Sequence, residues 1–133
     1  MALKPTEQGM KDAVSQFLAQ GEELVTVGWA SEKGTRFYYV ALTNLRLLII
    51  KLSTLYKVKG HESIPLEDLE ACSIYEGFKY AAPDVMLISK MMETSLYVKA
   101  KGGKKRAFRF SKIPGLDNKQ VPVTIMETLK IGA

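Results

Sequence analysis

The chain has 133 residues, of which 47% are hydrophobic and 25% charged, and its formal net charge is +5 at pH 7. This composition is typical of a single globular domain, and it excludes a chain that is disordered throughout. The single cysteine excludes an intrachain disulfide, and the moderate positive charge permits an anionic partner without requiring one.

The N-terminal segment is predicted to form an amphipathic helix over residues 6–20. Its apolar residues at helical spacing are Met10, Val14, Phe17 and Leu18. Thr6 is a suitable N-terminal cap, and Gly21 occupies the place of a C-terminal glycine. Charged residues interrupt the segment too often for a secretory signal peptide, so we expect none. We expect residues 1–21 to be a helical extension and residues 22–133 to form the domain.

From Glu22 onward, the residue types change to those that favour β-strands. We predict strands at about 23–30 and 35–42, joined by a turn over 31–34. The next stretch, FYYVALTNLRLLII (37–50), is nearly all apolar, but it is too short for a membrane-spanning helix, which needs about 20 apolar residues.

A β-hairpin explains this stretch better than a helix, because Thr43 and Asn44 are residue types that form turns. With a two-residue loop there, Val40 would lie opposite Leu47. One face of the hairpin would then be wholly apolar and would form the core. Arg46, on the other face, would point away from that core.

Further strands are predicted along the rest of the chain. An interrupted strand should cover residues 56–64, and Pro65 should end it. The remaining predicted strands lie at about 69–76, 85–89, 96–100 and 106–110.

The spacing within the last two strands predicts the length of the loop between them. Leu96 and Val98 must share one face, as must Phe108 and Phe110. Val98 can lie opposite Phe108, and Leu96 opposite Phe110, only if the loop has an odd number of residues. We therefore predict three or five residues with a glycine bulge. The outward-facing residues would be Tyr97, Lys99, Lys101, Lys105 and Arg109.

The C-terminal segment returns to helical spacing and is predicted to form a helix over about 118–131. Val121, Ile125 and Leu129 recur every four residues. Pro122 is tolerated only in the first turn of a helix, so the helix should begin just before it. Such a helix could cap one open end of a barrel and cover its apolar interior.

About seven antiparallel strands between two helices indicate a mainly β (α+β) fold, either a sandwich or a partly open barrel. The run ALTNLRLLII, followed by SIPLEDLEACSI, resembles bacterial pleckstrin-homology-like (PH-like) domains, and the related GRAM domain shows a similar hairpin. The resemblance covers about residues 22–130 and is carried by Leu42, Thr43, Asn44, Arg46, Leu47, Ile64, Pro65, Leu66 and Leu69. It implies two nearly orthogonal sheets with one end plugged by the C-terminal helix, to which the N-terminal helix is an addition.

Residues for catalysis are scarce. His61 is the single histidine and is expected at the surface, while Cys72 is expected to be a small buried residue. A cysteine nucleophile needs a base within hydrogen-bonding distance, and zinc needs three or four ligands. We therefore predict no enzyme activity, no catalytic residue, no cofactor and no metal. The alternative is an enzyme or a small-ligand carrier with a pocket at the open end of the barrel. Converging polar side chains in such a pocket would favour it, and a solidly filled barrel would exclude it.

The segment KAKGGKKRAFRFSK (99–112) is rich in lysine and arginine and contains no acid. One interpretation is that this segment contacts anionic lipid headgroups. The other is that its lysines serve only to prevent a strand edge from pairing with other chains. The candidate contacts are Lys99, Lys101, Lys104, Lys105, Arg106 and Arg109. A second candidate pair is Lys33 and Arg36, which partly match the phosphoinositide-binding pattern of eukaryotic relatives. The neighbouring Glu32 counts against this match, because its negative charge would repel an anion.

Two functions are therefore expected. The first is a non-enzymatic, cytoplasmic interaction domain that contacts proteins and self-associates as a homo-oligomer, since small sheet domains expose strand edges. The second is peripheral binding to anionic membrane surfaces through the hairpin 99–112. Nucleic acid is not an expected partner, because the phenylalanines of this hairpin should face the core instead of stacking on bases.

Overall fold

The computed structural model describes residues 6–33, 35–76, 93–111, 113, 116, 118 and 120–129. Within these residues lie two α-helices, α1 (Glu7–Ser15) and α2 (Gln120–Leu129). The strands are β1 (Leu24–Glu32), β2 (Arg36–Thr43), β3 (Arg46–Leu52), β4 (Val58–Pro65), β5 (Leu69–Glu76), β6 (Glu93–Ala100) and β7 (Arg106–Ser111). A short 3-10 helix (Leu66–Asp68) connects β4 to β5. The predicted strand at 85–89 lies outside the described residues.

The seven described strands form one antiparallel sheet in the order β4-β3-β2-β1-β7-β6-β5, which curls into a half-barrel. This is the predicted mainly β, PH-like fold. Alternate residues of the strands point inside, where Leu42, Ile49, Phe108 and Phe110 are fully buried. α2 packs against β1, β5 and β6 and adds Ile125 to this first core.

A second hydrophobic cluster lies on the other face of the β2–β3 hairpin, under α1. Met10 and Val14 of the helix pack in it with Tyr39, Leu48 and Ile50 of the strands, and all five are buried. The hairpin is therefore buried on both faces over most of its length. Strands of this kind are continuous apolar runs in sequence, and this accounts for FYYVALTNLRLLII.

The turn between β2 and β3 lies one residue later than predicted. It comprises Asn44 and Leu45, so that Val40 pairs with Ile49 instead of its predicted partner. Thr43 determines this position, because its Oγ1 accepts hydrogen bonds from the N–H groups of the second and third residues after it, both at 3.1 Å. The partners therefore shift by two residues, and the same side chains still face the core.

The loop between β6 and β7 spans residues 101–105, an odd number as predicted, and Gly102 adopts a positive φ of 74°. The strand partners again differ from the prediction by two residues, because Val98 pairs with Arg106. The turn closes directly after β6, where the N–H of Gly103 donates to the carbonyl of the last strand residue at 2.9 Å. Arg106 consequently begins the row of β7 residues that faces the inside of the barrel.

α1 begins as predicted but ends at Ser15 instead of residue 20. The Oγ1 of Thr6 accepts a hydrogen bond from the N–H three residues later, at 3.0 Å, and caps the first turn. The chain after the helix is held by Glu22, whose carboxylate accepts a hydrogen bond from the N–H of Ala19 at 2.9 Å. Gly21 has a positive φ of 81° in this later turn and does not end the helix.

A buried ion pair between Glu22 and Arg46 joins the segment that precedes β1 to the β2–β3 hairpin. The Oε2 of Glu22 accepts hydrogen bonds from the Nε of Arg46 at 2.9 Å and from the hydroxyl of Thr43 at 2.6 Å. Arg46 also donates to the carbonyl of Phe17. The Glu22 side chain is 1% exposed, and the hydrogen bond from Arg46 lowers its pKa from 4.5 to about 2. Arg46 therefore has a structural role in this chain.

The other described elements agree with the prediction within a few residues. β1 continues to Glu32, so the following turn is shorter than predicted, and Lys33 takes a positive φ of 57°. β4 is continuous instead of interrupted and pairs with β3 up to Pro65. α2 begins at Gln120, with Pro122 in its first turn. No helix in the described part of the chain is both long and apolar enough to cross a bilayer.

Candidate functional site

The loops that follow β1, β3 and β6 lie at one end of the half-barrel and surround a cleft of about 690 Å³. The cationic residues that line it are Lys33, Arg36, Lys51, Lys59, Lys104, Lys105 and Arg106. The acids that line it are Glu32 and Glu62. These side chains give the described lining a formal net charge of +5, and we refer to this site as the basic cleft.

Both acids of the basic cleft are engaged by Arg106. Its Nε and Nη2 donate to the two carboxylate oxygens of Glu32, both at 2.9 Å, and its Nη1 donates to Glu62 at 3.0 Å. Tyr38 donates its hydroxyl to Glu32 at 2.9 Å. The hydrogen bonds from Arg106 lower the pKa of Glu32, so this carboxyl group stays ionised. The other cations of the cleft therefore face acids that already have a cationic partner.

The Arg106 side chain is only 23% exposed and packs on aromatic rings. Its guanidinium carbon lies 4.9 Å from the ring centroid of Phe108 and 5.6 Å from that of Tyr38. Arg106 was predicted as a contact for an anionic surface. In the structure it lies on β7 and its guanidinium bonds to carboxylates of β1 and β4.

Four of the predicted contacts converge on the basic cleft as exposed side chains. Lys104 and Lys105 come from the β6–β7 loop, and Lys33 and Arg36 come from the first hairpin. The Nζ of Lys105 also lies 4.8 Å from the ring centroid of Tyr97. The fold thus unites two groups of residues that are separate candidates in the sequence.

The remaining predicted contacts do not line the basic cleft. Lys99 forms a salt bridge with Glu70 on the neighbouring strand β5, with 2.8 Å between Nζ and Oε2. Lys101 is exposed at the beginning of the β6–β7 loop. Arg109 is exposed on the outward-facing row of β7, where it pairs with Ser31 of β1.

Lys51 and Lys59 also line the basic cleft, although neither was predicted as a site residue. Lys51 continues the inward-facing row of Leu47 and Ile49 at the end of β3. The alternation of residues along this strand could have identified Lys51, because a lysine at the end of an apolar row marks the mouth of a barrel. Lys59 lies in β4, a polar strand without a row of apolar residues that a lysine could end, so its sequence contains no comparable indication.

The residues considered for catalysis do not line the basic cleft. Cys72 is 3% exposed in the first core, where burial raises the pKa of its thiol to about 11. His61 is exposed, and its ring lies against Phe17 with 4.4 Å between the centroids. No group of three or more His, Cys, Asp or Glu side chains within the described ranges could hold a metal ion. Apolar side chains fill the barrel interior, so a ligand of the cleft would bind at its mouth.

No protein-family model and no curated protein matches the chain. Among solved structures, the hSac2 domain from human phosphoinositide phosphatase Sac2 has 16% identity and a TM-score of 0.54, over 95% of this chain and 82% of that one. A pleckstrin homology domain from Shewanella amazonensis has 20% identity and a TM-score of 0.52, over 90% and 91%. The C-terminal domain of an unknown protein from Leishmania infantum has 14% identity and a TM-score of 0.51, over 92% and 93%. These similarities establish a PH-like fold.

Proposed function

We propose that this chain is a non-catalytic interaction domain that binds anionic membrane surfaces through the basic cleft. The observation that carries the proposal is the convergence of lysines from the β1–β2 loop, the β6–β7 loop and the facing ends of β3 and β4, which lie far apart in the sequence. Arg106 bonds to both acids of the cleft, and these three side chains together carry a formal charge of −1, so the other cations leave the lining at +5. One similar structure comes from a phosphoinositide phosphatase, and phosphoinositides are anionic lipids.

The strength of such binding follows from the number of exposed lysines. Each lysine close to an anionic bilayer contributes about 1 kcal/mol, and the attraction extends over a Debye length of about 8 Å at physiological salt. The exposed lysines of the cleft are Lys33, Lys51, Lys59, Lys104 and Lys105. Together they would supply enough attraction for reversible binding without a deep pocket.

Co-sedimentation with lipid vesicles tests this proposal. The protein should bind vesicles that contain phosphatidylserine, should not bind neutral phosphatidylcholine vesicles, and should bind less as salt is raised. The double variant Lys104→Glu with Lys105→Glu should bind anionic vesicles at least about tenfold more weakly, because it reverses two charges at the cleft.

A matched control comes from the same hairpin. Lys99→Glu with Lys101→Glu makes the same change in net charge outside the basic cleft, so it should weaken binding much less. Thermal unfolding should be compared first, since Lys99 also pairs with Glu70. Equal losses of binding in folded forms of the two double variants, or no binding of the wild type to anionic vesicles, would reject the cleft as the contact surface.

Protein contacts, including self-association, are the second candidate function. β4 and β5 are the end strands of the described sheet, and an end strand can pair with a strand of another chain. β4 also carries Lys59, Glu62 and Pro65, residue types that hinder such pairing. Sedimentation velocity over a range of concentrations tests this candidate, because a homo-oligomer would sediment faster than the 14.8 kDa monomer. A constant monomer value would contradict self-association.

A further inference from the structure

The loop between β3 and β4 carries the most exposed large hydrophobic side chain in the described part of the chain. Leu55 is 55% exposed, compared with 52% for Leu45 and 43% for Val25. It follows Thr54, which lines the basic cleft. An apolar side chain is therefore presented to solvent at the same end of the barrel as the lysines.

Hydrogen bonds hold this loop in a defined shape. The Oγ of Ser53 accepts hydrogen bonds from the N–H groups of Leu55 at 3.2 Å and of Lys57 at 3.1 Å. The backbone of Ser53 also bonds to that of Lys57 at 2.8 Å and to that of Tyr56 at 3.0 Å. Tyr56 adopts a positive φ of 59°, which is unfavourable for a residue other than glycine and persists only where the surroundings impose it.

Aromatic rings support the loop from the outer face of the sheet. The ring of Tyr56 meets that of Trp29 edge-on, with 6.4 Å between centroids, and Trp29 stacks on Phe37 at 5.6 Å. These three side chains are partly buried members of the second hydrophobic cluster. Tyr56 is thus anchored in the domain, while Leu55 next to it remains outside.

The charges around Leu55 indicate the kind of partner. Residues 51–59 contain Lys51, Lys57 and Lys59 and no acid, and two of these lysines line the basic cleft. An apolar tip flanked in the sequence by cations complements an anionic bilayer, where acyl chains lie beneath negatively charged headgroups. A stable protein interface needs a much larger area, roughly 800 Å² on each partner, than one leucine offers.

We infer that the β3–β4 loop inserts Leu55 into the apolar region of an anionic bilayer, with the surrounding lysines at the level of the headgroups. This inference rests on the proposed function, because the basic cleft brings the loop to the membrane. It adds a hydrophobic anchor to electrostatic attraction, so part of the binding should not depend on charge.

Substitution of two equally exposed leucines tests the inference. Leu45 lies in the β2–β3 turn, at the other end of β3 and about 20 Å away along the strand. Leu55→Ser should lower the affinity for phosphatidylserine-containing vesicles by about tenfold to a hundredfold, because the variant has no large apolar side chain to bury. Leu45→Ser should leave the affinity unchanged. Both variants should bind inositol hexakisphosphate, a soluble polyanion, as the wild type does.

The outcomes separate this inference from the proposed function. If Leu55→Ser binds vesicles as Leu45→Ser does, while reversal of Lys104 and Lys105 still weakens binding, insertion is overturned and the basic cleft stands. If Leu55→Ser also weakens binding of inositol hexakisphosphate, the loop acts on the cleft and not on the bilayer, and insertion is again overturned. If the wild type binds no anionic vesicle, both proposals are overturned.

A fluorescent label on the loop gives a second readout. The native cysteine, Cys72, is buried with its pKa raised to about 11, so a thiol reagent should label only an introduced surface cysteine. With an environment-sensitive dye, Leu55→Cys should show a blue shift of emission on addition of anionic vesicles, and Leu45→Cys should not. Equal emission from the two labelled variants on vesicles that bind the protein would contradict insertion.

Discussion

Arg106 connects three strands at the mouth of the barrel. It lies at the first position of β7 and bonds to Glu32 at the end of β1 and to Glu62 in β4. The Glu32 side chain is 7% exposed, so its charge depends on this partner. A buried carboxylate without a cation is strongly unfavourable, whereas a neutral pair in the same place need not be.

Removal of the guanidinium should therefore destabilise the fold. We expect Arg106→Gln to lower the free energy of unfolding by about 2–3 kcal/mol, toward the lower end of the values for broken buried pairs because Arg106 is partly exposed. Lys104→Gln, an exposed substitution in the adjacent loop, should change it by less than about 0.5 kcal/mol. Urea unfolding at neutral pH measures both values.

A second substitution distinguishes a lost ion pair from lost packing. Adding Glu32→Gln to Arg106→Gln should recover part of the stability, because no unpaired charge then remains buried. A double variant as unstable as the sum of its single substitutions would contradict the ion-pair explanation.

The strands show which features of the fold can be predicted from sequence. Alternation of apolar residues correctly assigned the inward face of β2, β3, β6 and β7, because side chains alternate strictly along a strand. It did not determine register, since a shift of two residues leaves the faces unchanged. In the β2–β3 hairpin, the missing information was the hydrogen bonding of Thr43, which makes the turn begin at Asn44.

The N-terminal extension shows where helical periodicity was insufficient. Phe17 and Leu18 continue the apolar spacing of α1, and both pack in the second hydrophobic cluster, but they lie beyond the helix end at Ser15. The backbone there is bound by Glu22 and Arg46, which come from later in the chain. The bond from Arg46 is a tertiary contact, which the local pattern cannot show.

The ion pair that holds this extension should make stability depend on pH. The folded-state pKa of Glu22 is lowered to about 2 from 4.5. Its contribution is therefore complete above about pH 5 and is lost as pH falls toward about 2. The wild type should exceed Glu22→Gln in free energy of unfolding at pH 6, and this difference should shrink steadily down to about pH 2.

Urea unfolding at a series of pH values measures this difference. Glu23→Gln is the control, because it makes the same chemical change at the neighbouring residue, whose side chain is exposed. A constant difference between wild type and Glu22→Gln across this range would show that the carboxylate charge contributes no stability.

At the scale of the molecule, the positive charge is concentrated at one end. The described lining of the basic cleft has a formal charge of +5, the same as the net charge of the chain, so the rest of the protein is balanced. Sequence patterns identified the lysines of two loops but could not show that they meet. That convergence follows from the curl of the sheet, which brings the β1–β2, β3–β4 and β6–β7 loops together.

Leu55 and the lysines of the cleft should therefore contribute to membrane binding through different forces that respond differently to salt. The Debye length falls from about 10 Å at 0.1 M to about 3 Å at 1 M, so attraction by lysines weakens, while the burial of a leucine does not. On vesicles rich in phosphatidylserine, the effect of Lys104→Glu with Lys105→Glu should shrink from at least about tenfold at 0.1 M salt to about twofold at 0.5 M. The effect of Leu55→Ser should stay constant within about twofold, as measured by vesicle co-sedimentation.

If the two effects instead disappear together as salt rises, Leu55 contributes only through the electrostatic contact, and the protein binds as a charged surface without a hydrophobic anchor.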